Sequence, residues 1–137
     1  MKFVIGVGNP DKIYDKTRHN VGFAIVDCLF GMITRKAEVL LVKPRTYVNR
    51  TGDAVLSLLK KHPKSAPKDF MLVCDDVNLA FGKMRLRESG SSGGHHGLES
   101  VIQAFNSEDF TRLRFGVGHE KMPADLTGFV LEKFSNT

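Results

Sequence analysis

A chain of 137 residues with 42% apolar side chains and scattered Pro and Gly can fill one core, which excludes a disordered tract, a repeat array and a multidomain assembly. The net charge of +5 is uneven: residues 31–68 carry nine cationic side chains against two acidic ones, either a solvated surface or a face for a polyanion such as RNA. The longest apolar stretches, such as 21–33, are interrupted by Gly, Asp or Cys and fall short of the roughly 20 residues of a membrane span, and the start MKFVIGVG lacks a secretory signal's apolar segment and cleavage site, so the expectation is a soluble cytoplasmic protein.

The first expected element is a strand at Lys2–Val7, a β-branched run stopped by Gly8-Asn9-Pro10. Asn20–Phe30 then sets Val21, Ala24, Ile25, Cys28 and Leu29 at helical spacing, an amphipathic helix closed by Gly31. A strand at Val39–Lys43 stops at Pro44, and a helix at Thr51–His62 carries Ala54, Val55, Leu58 and Leu59 on one face, with Pro63 beyond its end. Phe70–Cys74 reads as a third strand leading into Asp75-Asp76, and Met84–Arg87 as a more exposed one. A Gly/Ser loop at Ser89–Gly94 leads to a helix at His96–Phe105, and Leu113–Val117 is the last strand. This alternation is that of a single α/β domain over residues 1–137, with a twisted mixed sheet flanked by helices on both faces. Cys28 and Cys74, far apart inside apolar segments, are expected to be buried reduced thiols.

Several segments carry polar groups that could do chemistry. Gly6-Val7-Gly8-Asn9-Pro10-Asp11 begins like a dinucleotide fingerprint, but Asp11 stands where the third glycine belongs and would repel a pyrophosphate, so no nucleotide cofactor is expected. His19 lies at the entrance to the first helix, where a lone His is ordinarily a cap or surface residue. A carboxylate at a strand end, Asp75, could hold its imidazole in the tautomer that takes a proton from water. There is no G-x-S-x-G elbow, Cys74 sits inside an apolar strand, and the adjacent His95 and His96 diverge on a helix or strand, so neither a covalent nucleophile nor a metal is expected. Asn49 or Thr51 either caps the second helix or, for Asn49, offers an amide to a substrate. The loop from Gly90 to Leu98 is either a phosphate cradle at a helix start or a flexible connection; Arg85, Arg87, Arg112 and Arg114 beside it either favour an anion or pair with Glu88, Glu108 and Asp109.

Taken together, GVGNP, Y-x-x-TRHNVG, KPRTYVNRTG, DDVNLAFG, GSSGGHHGL and FTRLRFGVGH resemble, in order, the motif series of the bacterial peptidyl-tRNA hydrolases. The resemblance implies a single α/β domain that acts without metal or cofactor, as a monomer, on the ester joining a peptide to the acceptor end of tRNA. Carried over motif by motif, His19 resembles the catalytic base and Asp75 the acid that orients it. Asn9, Tyr14, Asn20, Tyr47, Asn49 and His96 fall at substrate-binding motifs, and Arg87 and Arg114 at positions implicated in gripping tRNA phosphates.

The chain departs from the pattern at His96, where the family usually has Asn, at Val48, where Met is usual, and at Asn78-Leu79-Ala80. The stretch between Asp27 and Lys43 is also shorter than in the family, and the C-terminal helices that form a lid there are expected to be missing. These departures leave an alternative, a catalytically weak RNA-binding relative.

Overall fold

The computed structural model describes residues 1–32, 38–118 and 126–134; the cationic Arg35 and Lys36 lie outside them. In chain order the elements are β1 (Lys2–Gly6), α1 (Val21–Met32), β2 (Val39–Val42), α2 (Thr51–Lys61), β3 (Phe70–Ala80), β4 (Met84–Arg87), α3 (His96–Phe105), β5 (Thr111–Gly118) and α4 (Leu126–Val130). The five strands form one mixed sheet in the order β2-β1-β3-β5-β4, in which only the β4–β5 pair is antiparallel.

Both faces of the sheet are covered. On one, Phe3, Ile5, Phe70, Leu72 and Cys74 meet Val55 of α2 and Leu98 and Val101 of α3; on the other, Val4 and Val73 meet Val26 of α1, flanked by Ile25 and Leu29. Strands buried on both faces read as continuous apolar runs, which is why β1 and β3 were plain in the sequence. The inward face of α1 differs from the expected one. Ala24 and Cys28 are exposed, and the helix runs through Gly31 to Met32. The reason is Gly22: a Cβ there would lie 2.3 Å from the Val73 carbonyl oxygen, so the helix docks on its smallest residue and rotates Ala24 and Cys28 outward.

The second difference is β3, which does not stop at Cys74. It continues because β5 keeps pairing with it, Asp75 opposite Phe115 and Asp76 opposite Gly116, with an irregularity before Ala80 meets Gly118. The chain leaves β1 towards α1 on one face and reaches β3 from α2 on the other, so the carboxyl ends of β1 and β3 border a crevice. Such switch points are where open α/β sheets place ligands. Among the described residues, no helix is long and apolar enough to cross a membrane.

Candidate active site

Asn9 follows β1 at the crevice. Its backbone N–H donates to Asn20 Oδ1 at 2.8 Å, and Asn20 Nδ2 donates to the Asn9 carbonyl at 2.8 Å. The Val48 N–H donates to Asn9 Oδ1 at 3.0 Å. With that oxygen engaged, the Asn9 amide is oriented and its Nδ2 is the group left to donate. Asn20 is buried with its amide spent on the Asn9 backbone, so it braces Asn9 from outside the cavity lining.

His19 sits in a 3₁₀ turn, Arg18–Asn20, between α1 and the loop before it. Thr17, Arg18 and Asn20 are buried while His19 is half-buried, so three of four consecutive polar residues serve to aim the fourth. Thr17 Oγ1 donates to the Tyr14 carbonyl at 2.7 Å. Arg18 donates to the Phe129 carbonyl at 3.1 Å and to Glu132 at 3.0 Å, its guanidinium carbon 3.9 Å from the Phe129 ring centroid. The segment 126–134 is thereby pinned against the turn, and α4 forms one wall of the crevice.

The two elements converge on Asp75, which is 2% exposed. His19 Nδ1 lies 2.8 Å from each Asp75 oxygen, and His95 Nε2 lies 2.8 Å from Oδ1. The two imidazoles are not equivalent. The Gly97 and Leu98 N–H groups donate to His95 Nδ1 at 3.0 and 3.4 Å, making His95 the N-cap of α3. His95 therefore carries its proton on Nε2 and donates it to Asp75. His19 likewise donates through Nδ1–H, which leaves its Nε2 lone pair free to accept a proton. Burial raises the Asp75 carboxyl, but the hydrogen bonds from His19 and His95 outweigh it and hold the group down at about 2.

These groups open on a cavity of about 480 Å³, a volume typical of ligand sites. Asn9, His19, Asp75 and His95 form its polar floor, Asn49 and His96 its exposed rim, and Val48, Val77, Leu126, Val130 and Leu131 an apolar wall. Neither Asn49 nor Thr51 caps α2; Thr51 Oγ1 donates back to the Val48 carbonyl at 2.7 Å. Tyr14 and Tyr47 stand outside the cavity wall, packed edge to face. The Tyr47 hydroxyl donates to Asp11, and that hydrogen bond pushes the phenol up.

Arg87 is exposed on β4, clear of the cavity, whereas Arg114 lines it with Nη2 donating to the Ser91 and Ser92 carbonyls at 3.2 and 2.9 Å. Arg112 is buried among main-chain carbonyls and pairs with none of Glu88, Glu108 or Asp109 through their carboxylates. The residue that sequence reasoning missed is His95. Its adjacency to His96 draws attention to metal binding, yet a His just before a helix following Gly-Gly is placed to cap, and its far nitrogen is then aimed.

His19, Asp75 and His95 are the one cluster among the described residues with three potential metal ligands. The donor chemistry argues against a cation: His95 Nδ1 already accepts two N–H groups, so coordination through Nε2 would require an imidazolate.

The family model described as peptidyl-tRNA hydrolase matches residues 3–137. The peptidyl-tRNA hydrolase of Aquifex aeolicus is 43% identical over 152 residues, covering 98% of this chain and 79% of the relative. That of Chlorobium luteolum is 44% identical over 153 residues, covering 98% and 80%. A crystal structure of peptidyl-tRNA hydrolase from Acinetobacter baumannii superposes with a TM-score of 0.86 at 30% identity, covering 98% of this chain and 77% of that one.

Proposed function

The chain belongs to the peptidyl-tRNA hydrolase family and hydrolyses the ester between peptide and tRNA; from that premise we propose that His19 is the general base and Asp75 the group that orients it. The observation that carries this assignment is the bidentate approach of His19 Nδ1 to a buried, ionised Asp75, which leaves Nε2 as the free nitrogen at the cavity floor. Nε2 takes a proton from a water as it attacks the ester carbonyl, Asp75 stabilises the imidazolium that forms, and the tetrahedral intermediate collapses by breaking the bond to the ribose oxygen, which takes that proton back from Nε2 and leaves as the tRNA hydroxyl. The Asn9 amide, its oxygen held by Val48, presents Nδ2 either to the developing oxyanion or to the carbonyl that becomes it. Asn49 and His96 at the rim contact the peptide or the terminal ribose.

Affinity for the tRNA acceptor end comes from phosphate contacts, which are independent of base identity. Exposed Arg87 is free to make one, and Arg114 makes another from the cavity edge while still donating to the loop. The enzyme works as a cytoplasmic monomer, without metal or nucleotide cofactor. The test is a paired assay on peptidyl-tRNA: His19→Ala should lose turnover while remaining folded, with a cooperative melting transition. Equal turnover in the two proteins refutes the assignment.

A further inference from the structure

The loop from Gly90 to Gly94 has little of its own to hold it. Gly90, Gly93 and Gly94 have φ of 142°, 59° and 84°, and a Cβ built at Gly90 or Gly94 would meet nothing within 4 Å. Such a backbone loses much freedom on ordering. Yet the next residue, His95, must arrive with Nε2 at 2.8 Å from Asp75.

What holds the loop is arginine. Arg112, 0% exposed, donates through Nη1 to the Gly90 and Ser91 carbonyls at 2.6 and 3.1 Å, and through Nη2 to the Glu108 and Phe110 carbonyls at 2.7 and 3.1 Å. Its guanidinium lies 4.1 Å from the Phe110 ring centroid. Arg114 adds bonds to Ser91 and Ser92, and the Ser92 carbonyl also accepts the His95 N–H at 3.1 Å. Among the described residues, no carboxylate lies within ion-pair distance of Arg112 and its Nε has no partner. A cation buried against carbonyls alone is costly, and an apolar side chain on β5 would avoid that cost. Only a planar fork of N–H donors can tie two chain segments together at four acceptors.

We infer that Arg112 is a positioning residue for hydrolysis: it ties Gly90 and Ser91 to the segment 108–110, so that His95 is delivered to Asp75, with Arg114, on Ser91 and Ser92, as the second and weaker tie. The inference rests on the reading of His19 and Asp75 as the catalytic pair. Arg112→Lys keeps the charge but cannot reach four acceptors.

The experiment is a double-mutant cycle of Arg112→Lys with His95→Ala on peptidyl-tRNA, alongside nitrogen NMR of the His95 ring. Arg112→Lys should lower kcat about tenfold to a hundredfold with KM changed less than about threefold, and the double variant should be no slower than His95→Ala alone. The Nε2–H resonance of His95 should be lost from Arg112→Lys. Additive losses, wild-type kcat in folded Arg112→Lys, or a retained resonance overturns the inference. If Arg112→Lys does not fold, Arg114→Lys takes its place in the cycle, with the same non-additivity at saturating substrate expected and additivity again decisive. Failure of the catalytic reading is distinguishable, because it shows as undiminished turnover in His19→Ala.

Discussion

Two regions bring a histidine to the same carboxylate by opposite means. The turn around His19 is fixed by its own buried side chains: Thr17, Arg18 and Asn20 pack inward, Thr17 bonds the Tyr14 carbonyl, and Arg18 anchors Phe129 and Glu132 onto the turn. The loop before His95 is glycine-rich and is held from outside by β5 arginines. The chemistry divides along the same line. His19 gives Asp75 its Nδ1–H and keeps Nε2 in reserve, whereas both nitrogens of His95 are occupied, one by Asp75 and the other by the α3 backbone. On the proposed assignment, one contact makes a base, and the other makes a support for the acid that orients the base.

The comparison breaks most directly at the carboxylate. Removing the base in His19→Ala should lower kcat by about 10³ to 10⁴, since general-base catalysis and its preorganisation are lost together. Asp75→Asn should come close behind, about 10³, because an amide turned toward His19 forces its proton onto Nε2 and abolishes the lone pair. His95→Ala should cost only about tenfold to a hundredfold, leaving the His19–Asp75 contact in place. Steady-state kinetics on one peptidyl-tRNA measures all three. If His95→Ala matched His19→Ala, the division of roles would be wrong.

Acid stability sharpens the same point at smaller scale. A carboxyl held at about 2 contributes stability that is complete above the ordinary carboxylate value of about 4 and is lost as pH falls towards 2. His95 supplies one of the two hydrogen bonds that depress it, so His95→Ala should be less stable than wild type by about 1 kcal/mol above pH about 4, with the gap closing at lower pH. Urea titrations at several pH values read this. A gap independent of pH would assign the loss to the α3 cap instead.

Much of this was legible in the chain. β1, β3 and α3 announced themselves through apolar runs and a loop of Gly and Ser, and the order of motifs placed His19, Asp75, Asn9 and Asn49. What was illegible depended on contacts between distant segments. The face of α1 turned on the close approach of Gly22 to Val73, which exposes Cys28. Asn20 looked like a substrate group because nothing local says that its amide closes on the Asn9 backbone. His95 looked like a neighbour of His96, and only the parallel pairing of β3 with β5 brings Asp75 within its reach.

The mildest perturbation falls at His96, where the motif resemblance leads to the expectation of Asn. His96 is exposed at the first position of α3 and lines the rim, while the contact to Asp75 belongs to His95. A neutral imidazole donates from one nitrogen and accepts at the other across the ring, whereas an amide does both at one end. His96→Asn should therefore leave kcat within about twofold and change KM by less than about fivefold. A tenfold rise in kcat for His96→Asn would instead place this residue beside the reacting ester and make the rim, rather than the loop that delivers His95, the second determinant of the rate.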